Sequence, residues 1–181
     1  TTFEPGGSPI GRQIRQILLD QSTHKLAPVS ELLFFCAERA EHVSKVIRPS
    51  LEQKKIVLCD RFYYSTLAFQ GYGRGIDLTT TETCCNIAIQ AVVPDLVLLL
   101  DIDEKIALER IHKRASSDVD GFESETLAFH KRLREGFLQI AQTSRERFLV
   151  LNAEQSTDQI WTQLEPTLDH WLSALHIEEA L

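Results

Sequence analysis

Apolar residues follow two alternating patterns along the chain. Short, nearly continuous apolar runs occupy residues 54–60, 95–101 and 147–151, and each predicts a strand. The unbroken Leu96-Val97-Leu98-Leu99-Leu100 stretch is the pattern of a parallel strand covered on both faces. Between these runs the spacing becomes helical. Ile10, Ile14, Leu18 and Leu19 predict a helix over residues 8–20. Residues 28–47 predict a long helix entered through Pro28, with Ser30 as its N-cap and Pro49 breaking or bending its far end. Further helices are expected over 78–92, 103–114, 125–142 and about 156–176, with Ser116–Gly121 as a polar, flexible stretch. Strands alternating with helices indicate an α/β fold, a parallel sheet flanked by helices. At 181 residues, without repeats or low-complexity tracts, the chain reads as a single domain.

Composition narrows the classes of function. A net charge of -7 argues against non-specific binding to a nucleic-acid backbone. It does not argue against a nucleotide, because a few local arginines outweigh the global sign. No apolar run approaches the length of a membrane span, and the N-terminus lacks a charged-then-apolar signal layout. Cysteines occur at 36, 59, 84 and 85 without CxxC spacing, which suits reduced structural thiols in the cytoplasm. The histidines show no ligand spacing, and no Gly-x-Ser-x-Gly turn is present.

Candidate chemistry concentrates in Ile56–Gly71. Asp60-Arg61 ends a predicted strand, where open α/β sheets place their ligands. Asp60 there suits Mg²⁺, directly or through water, and Arg61 suits a bidentate grip on a phosphate. As a bare dipeptide the pair reads more readily as an ion pair closing a strand; the following Ser65-Thr66, Ala68-Phe69-Gln70 and Gly71 reverse that preference toward a site. Thr66 and Gln70 lie four apart, and their hydroxyl and amide suit the edge of a pyrimidine. Alone, they describe a polar helix face. Phe35 and Arg39 are also four apart; alone they describe a core aromatic and a solvated cation. Glu4-Pro5-Gly6-Gly7 is a turn that lets backbone approach a ligand closely, and Arg15 follows Gly7 by eight residues.

Taken together, Glu4-Pro5-Gly6-Gly7, Phe35-Cys36-Ala37-Glu38-Arg39 and the run from Asp60 to Gly71 resemble the bacterial type of thymidylate kinase, a nucleoside-monophosphate kinase family. The resemblance extends from Thr2 to about Leu168. It implies a three-layer phosphate-loop fold and transfer of a phosphoryl group from ATP to dTMP, with Mg²⁺. In that pattern Phe35 stacks on thymine, and Arg39 points at a base carbonyl or phosphate. Arg15 and Arg61 bind the monophosphate, while Ser65, Thr66 and Gln70 read base and sugar. Phe69 stands where the family usually has tyrosine, packs on the sugar and disfavours a 2′-hydroxyl. Glu4 and Asp60 are placed near the metal and the transferred group. A lid over about 110–125 supplies Arg110 and Arg114 to the charge that develops in transfer. Two family arginines are replaced, by Phe3 and by Gly121, whereas Arg134 keeps a typical position. Asn152 and Ala153 match the loop that cradles adenine. The implied partners are dTMP and ATP, with neither nucleic acid nor membrane, in a homodimer formed through residues 28–47 and 78–92. A nucleotide-binding paralogue without kinase activity, or a kinase for another nucleotide or a deoxynucleoside, remain the alternatives.

Such a kinase needs a Gly-x-x-x-x-Gly-Lys loop, and none occurs among the 181 residues. The resemblance places that loop after a central strand, between the strands ending at Asp60 and Asp101. The chain also contains no methionine, not even at position 1. The expectation is therefore a domain that is incomplete at its N-terminus, with the loop ahead of Thr1. In residues 1–181 alone, two apolar strands should face a gap with unpaired edges.

Overall fold

A computed structural model describes residues 1–19, 26–113 and 125–174. Among the described residues, four short strands form two separate parallel pairs. β1 (Thr2–Phe3) pairs with β2 (Cys59–Asp60), and β3 (Leu96–Asp101) pairs with β4 (Arg147–Asn152). The β3–β4 register is continuous from Leu96 opposite Arg147 to Asp101 opposite Asn152. The run from Lys54 is thus extended strand only at Cys59–Asp60, because β1 offers partners over just two residues. Bonds from Thr2 N–H to the Leu58 carbonyl (2.8 Å) and from Glu4 N–H to the Asp60 carbonyl (2.9 Å) complete that short ladder.

Coverage of both faces, expected for β3, is not seen. Leu98 and Leu100 are exposed, Leu100 to 57%, as are Ile56 and Leu58 beside β2. Among the described residues no third strand joins the two pairs.

Helices surround the strands. α1 (Pro9–Leu19) packs on α2 (Pro28–His42), which packs in turn on α5 (Leu78–Ile89). α2 begins differently from expectation. Ala27 is the N-cap, in extended backbone, and Pro28 opens the helix, where its missing N–H costs nothing. Ser30 therefore lies inside the helix. Nor does Pro49 end it. The chain widens into a π-helical turn at Val43–Ile47 and then continues as α3 (Arg48–Glu52), so Pro49 falls in the first turn of a new α segment.

α4 (Tyr63–Thr66) runs directly into a second π-helical segment, Leu67–Gly73. Tyr63, Tyr64, Leu67 and Ala68 form the core with Cys85 and Ile89 of α5 and with Phe129, Leu133 and Ile140 of α7 (Leu127–Thr143). Asp77 caps α5 by accepting from Thr80 N–H at 2.8 Å, and Thr126 caps α7 by accepting from Phe129 N–H. α6 (Glu104–Lys113) and α8 (Thr157–Ala174) complete the set. No helix among the described residues is long and apolar enough to cross a membrane.

Candidate active site

The turn after β1 shapes one wall of the site. Gly6 adopts φ 118°, and its N–H donates to Glu38 Oε1 at 2.8 Å. A Cβ on Gly7 would lie 2.3 Å from the His42 ring and 2.7 Å from the Phe3 carbonyl oxygen. These glycines bring the Glu4–Gly7 backbone directly onto α2.

A buried ionic network holds Glu4 there. Arg39 Nε donates to Glu4 Oε2 at 2.8 Å, and His42 Nδ1–H donates to Glu4 Oε1 at 2.9 Å. His42 Nε2 pairs with the Thr2 hydroxyl at 2.6 Å. Arg39 is only 1% exposed, and its Nη1 also donates to Thr66 Oγ1 at 3.0 Å. Burial is the largest influence and opposes the charge on Arg39, but Glu4, with Cys85 and Cys36, together outweigh it and the guanidinium titrates above its ordinary value. Both oxygens of Glu4 are thus held by protein donors, and the pairing fixes the direction of the Arg39 guanidinium.

Beside this network, Gln70 Nε2 donates to Glu31 Oε1 at 2.8 Å, with both residues buried. Arg74 donates to both Glu31 oxygens, at 3.2 and 3.3 Å, and also pairs with Glu125. Glu38 has the opposite character. Burial and the neighbouring Glu4 push its carboxyl above the ordinary range, and among the described residues its Oε2 has no partner.

These elements enclose a cavity of about 410 Å³. Glu4, Arg15, Phe35, Arg39, Asp60, Arg61, Ser65, Thr66, Phe69 and Gln70 all line it. These ten residues, all named from the sequence, therefore meet in one place. Arg15 donates to the Pro5 carbonyl at 2.7 Å, which holds the Glu4–Gly7 turn against α1. Asp60 is exposed at the end of β2. Arg61 follows with φ 65°, an unfavourable conformation for a residue with a Cβ, and its guanidinium lies 5.3 Å from the centre of the Phe69 ring. Strained backbone of this kind concentrates where a side chain must be aimed. Phe69 in turn packs edge-on against Phe137, with ring centres 6.3 Å apart. Ile111, His130 and Leu133 also line the cavity and were not foreseen from the sequence.

The remaining expected residues gather elsewhere. Arg110 Nη1 donates to the Ala153 carbonyl at 2.9 Å, Ala153 N–H donates to the Asp101 carbonyl at 2.7 Å, and Asn152 Oδ1 accepts from Glu154 N–H. Arg110 is thus tied to the loop after β4, outside the cavity lining. Arg134 forms a two-pronged pair with Asp101, at 2.8 and 3.0 Å. Arg114 and Gly121 lie outside the described residues.

Sequence reasoning missed Glu31, Glu38 and His42. Their signal was present in the spacing. Positions 31, 35, 38, 39 and 42 form one stripe along α2. A stripe of Glu, Phe, Glu, Arg and His on the face that turns inward is a buried polar network written at helical period. Arg74 and Glu125 leave no such pattern, since Arg74 meets Glu31 and Glu125 only through the tertiary fold.

Comparison with known proteins extends the picture. The family model described as thymidylate kinase matches residues 1–164. A thymidylate kinase from Desulfovibrio desulfuricans is 44% identical over 94% of this chain and 81% of its own length. One from Maridesulfovibrio salexigens is 40% identical over 91% of this chain and 78% of its own. Among solved structures, thymidylate kinase from Ehrlichia chaffeensis superposes with a TM-score of 0.73 at 34% identity, covering 92% of this chain and 79% of that one.

Proposed function

This chain belongs to the thymidylate kinase family, and from that premise we propose how its cavity takes part in phosphoryl transfer from ATP to dTMP, giving dTDP. The convergence of Arg15, Phe35, Arg39, Asp60, Arg61, Thr66, Phe69 and Gln70 on one cavity carries the reading.

In this reading thymine lies against Phe35. Arg39, aimed by Glu4, donates to a base carbonyl, and the hydroxyl of Thr66, which accepts from Arg39, is left to donate. Gln70 faces the remaining edge. Ser65 and Phe69 border the sugar, where the bulk of Phe69 disfavours a 2′-hydroxyl. Arg15 and Arg61 grip the monophosphate. Asp60 suits Mg²⁺, because that ion uses one or two carboxylates and takes its other oxygens from water and substrate phosphates. When bound, the ion offsets negative charge on the phosphates. Arg110 and Arg114 act on the donor side, with Asn152 and Ala153 beside adenine.

The donor's phosphates need a glycine-rich loop and its lysine. We place these ahead of Thr1, on a strand between β2 and β3. The exposed Leu58 and Leu100 on the two unpaired edges support this placement. We further place the protein in the cytoplasm as a homodimer; the exposed Val29 and Leu33 of α2 and Ile87 of α5 support the dimer. Incubating the native-length protein with dTMP, ATP and Mg²⁺ should yield dTDP, whereas thymidine in place of dTMP should yield no phosphorylated product. Phosphorylation of thymidine, or no turnover of dTMP, would contradict the reading.

A further inference from the structure

Glu31 touches the site without lining it. Its carboxylate lies behind Gln70, 2% exposed, with Gln70 Nε2 at 2.8 Å and the Arg74 guanidinium on both oxygens. A guanidinium only donates, so the carboxylate beside it acts as an acceptor. Gln70 must therefore present its N–H side to Glu31. The reverse orientation would set Oε1 against a carboxylate oxygen and leave two buried acceptors facing each other. The chemistry thus settles the amide orientation. With Nε2 committed to Glu31, Oε1 receives no protein hydrogen bond among the described residues, and Gln70 itself lines the cavity.

We infer that Glu31 is a positioning residue that locks the Gln70 amide with its carbonyl toward the base, so that the cavity accepts a pyrimidine bearing N3–H and rejects one whose N3 is a bare acceptor. The inference rests on the proposed reading of the cavity as a thymidylate site and adds to it the element that sets base selectivity. Thymine and uracil carry a donor at N3, flanked by carbonyl oxygens. Cytosine carries an acceptor at N3 beside an amino group. A carbonyl fixed by Glu31 meets the first with a hydrogen bond and the second with lone-pair repulsion. Accommodating cytosine would require the Gln70 amide to flip, which Glu31 and Arg74 oppose. A site built around one hydrogen-bond polarity discriminates far more strongly than one that reads shape.

The probes are dTMP and 5-methyl-dCMP, which share the methyl group, sugar and phosphate and differ only along the pairing edge. The wild-type protein should bind dTMP at least 100-fold more tightly than 5-methyl-dCMP. In Glu31→Gln, where residue 31 both donates and accepts, the amide of Gln70 is free to flip and the affinity ratio should narrow at least tenfold. A merely structural loss would weaken both ligands equally and leave the ratio unchanged, which would overturn the inference. Should Glu31→Gln not fold, Gln70→Ala carries the test, because removing the oriented amide must also narrow the ratio; an unchanged ratio there overturns the inference as well. A wild-type protein that binds dTMP without discriminating against 5-methyl-dCMP defeats the inference alone. A wild-type protein that binds neither defeats the thymidylate reading and the inference together.

Discussion

The wall of the cavity formed by α2 and the edges of the two strand pairs are opposite kinds of structure. Along α2, charged groups are buried and almost all satisfied: Glu4 by Arg39 and His42, Glu31 by Gln70 and Arg74. At β2 and β3, apolar side chains are exposed and the outer backbone edges are unpaired among the described residues. A buried ionic network gives geometry more than net stability, since desolvation cancels much of the attraction. An exposed apolar edge gives neither until something covers it. The cavity wall is thus already organised, whereas the strand edges are exposed apolar surface.

The largest effect should come from breaking the network. Arg39→Ala leaves the Glu4 carboxylate buried beside His42 alone, at a cost of about 3–5 kcal/mol in stability. It should also weaken dTMP binding by at least about 1.5 kcal/mol. Urea unfolding and calorimetry measure the two separately. Unchanged affinity would remove Arg39 from the site.

Two changes of similar size probe the opposite regions. Phe35→Ala removes a stacking face and should weaken dTMP by about 1–3 kcal/mol. Because Phe35 is only half-buried, the melting temperature should move little. Leu100→Thr tests the apolar edge in the native-length protein. If a strand covers β3, the substitution should destabilise by about 1–3 kcal/mol. If solvent covers it, the change should stay within about 0.5 kcal/mol.

The smallest effect concerns Glu38. Its carboxyl is raised above the ordinary 4.5 by burial and then by Glu4. A carboxyl raised on folding contributes stability that is complete below that ordinary value and is lost as pH rises through the folded one. Glu38→Gln, which keeps an acceptor for Gly6 N–H, removes this titration. The variant should exceed wild type by on the order of 1 kcal/mol at pH 8, with the difference shrinking toward acid pH. A pH-independent difference between the two melting curves would contradict this.

Local patterns were legible where they repeat at a simple period. The apolar run before Asp101 and the helical spacing from Ile10 to Leu19 both mark real elements. Expectation and structure part where backbone departs from regular geometry. Nothing in the spacing around Pro49 announces a π-helical turn that carries the helix past it. The π-helical segment through Gln70 is equally silent, although Thr66 and Gln70 still meet in the cavity. In the site, residues next to one another in sequence were found as motifs. The aiming of Arg39 by Glu4, and of Gln70 by Glu31, joins residues more than 30 positions apart. Only the fold brings those partners together, which is why neither pairing is visible in the sequence.

Calorimetric titration of the native-length protein with dTMP tests the central claim most directly, with Phe35→Ala and Gln70→Ala titrated alongside. The account predicts saturable binding of one dTMP per chain and clear weakening in both variants. Absence of binding, or binding that neither substitution changes, would show that the cavity between β2, α2 and α4 is not the thymidylate site.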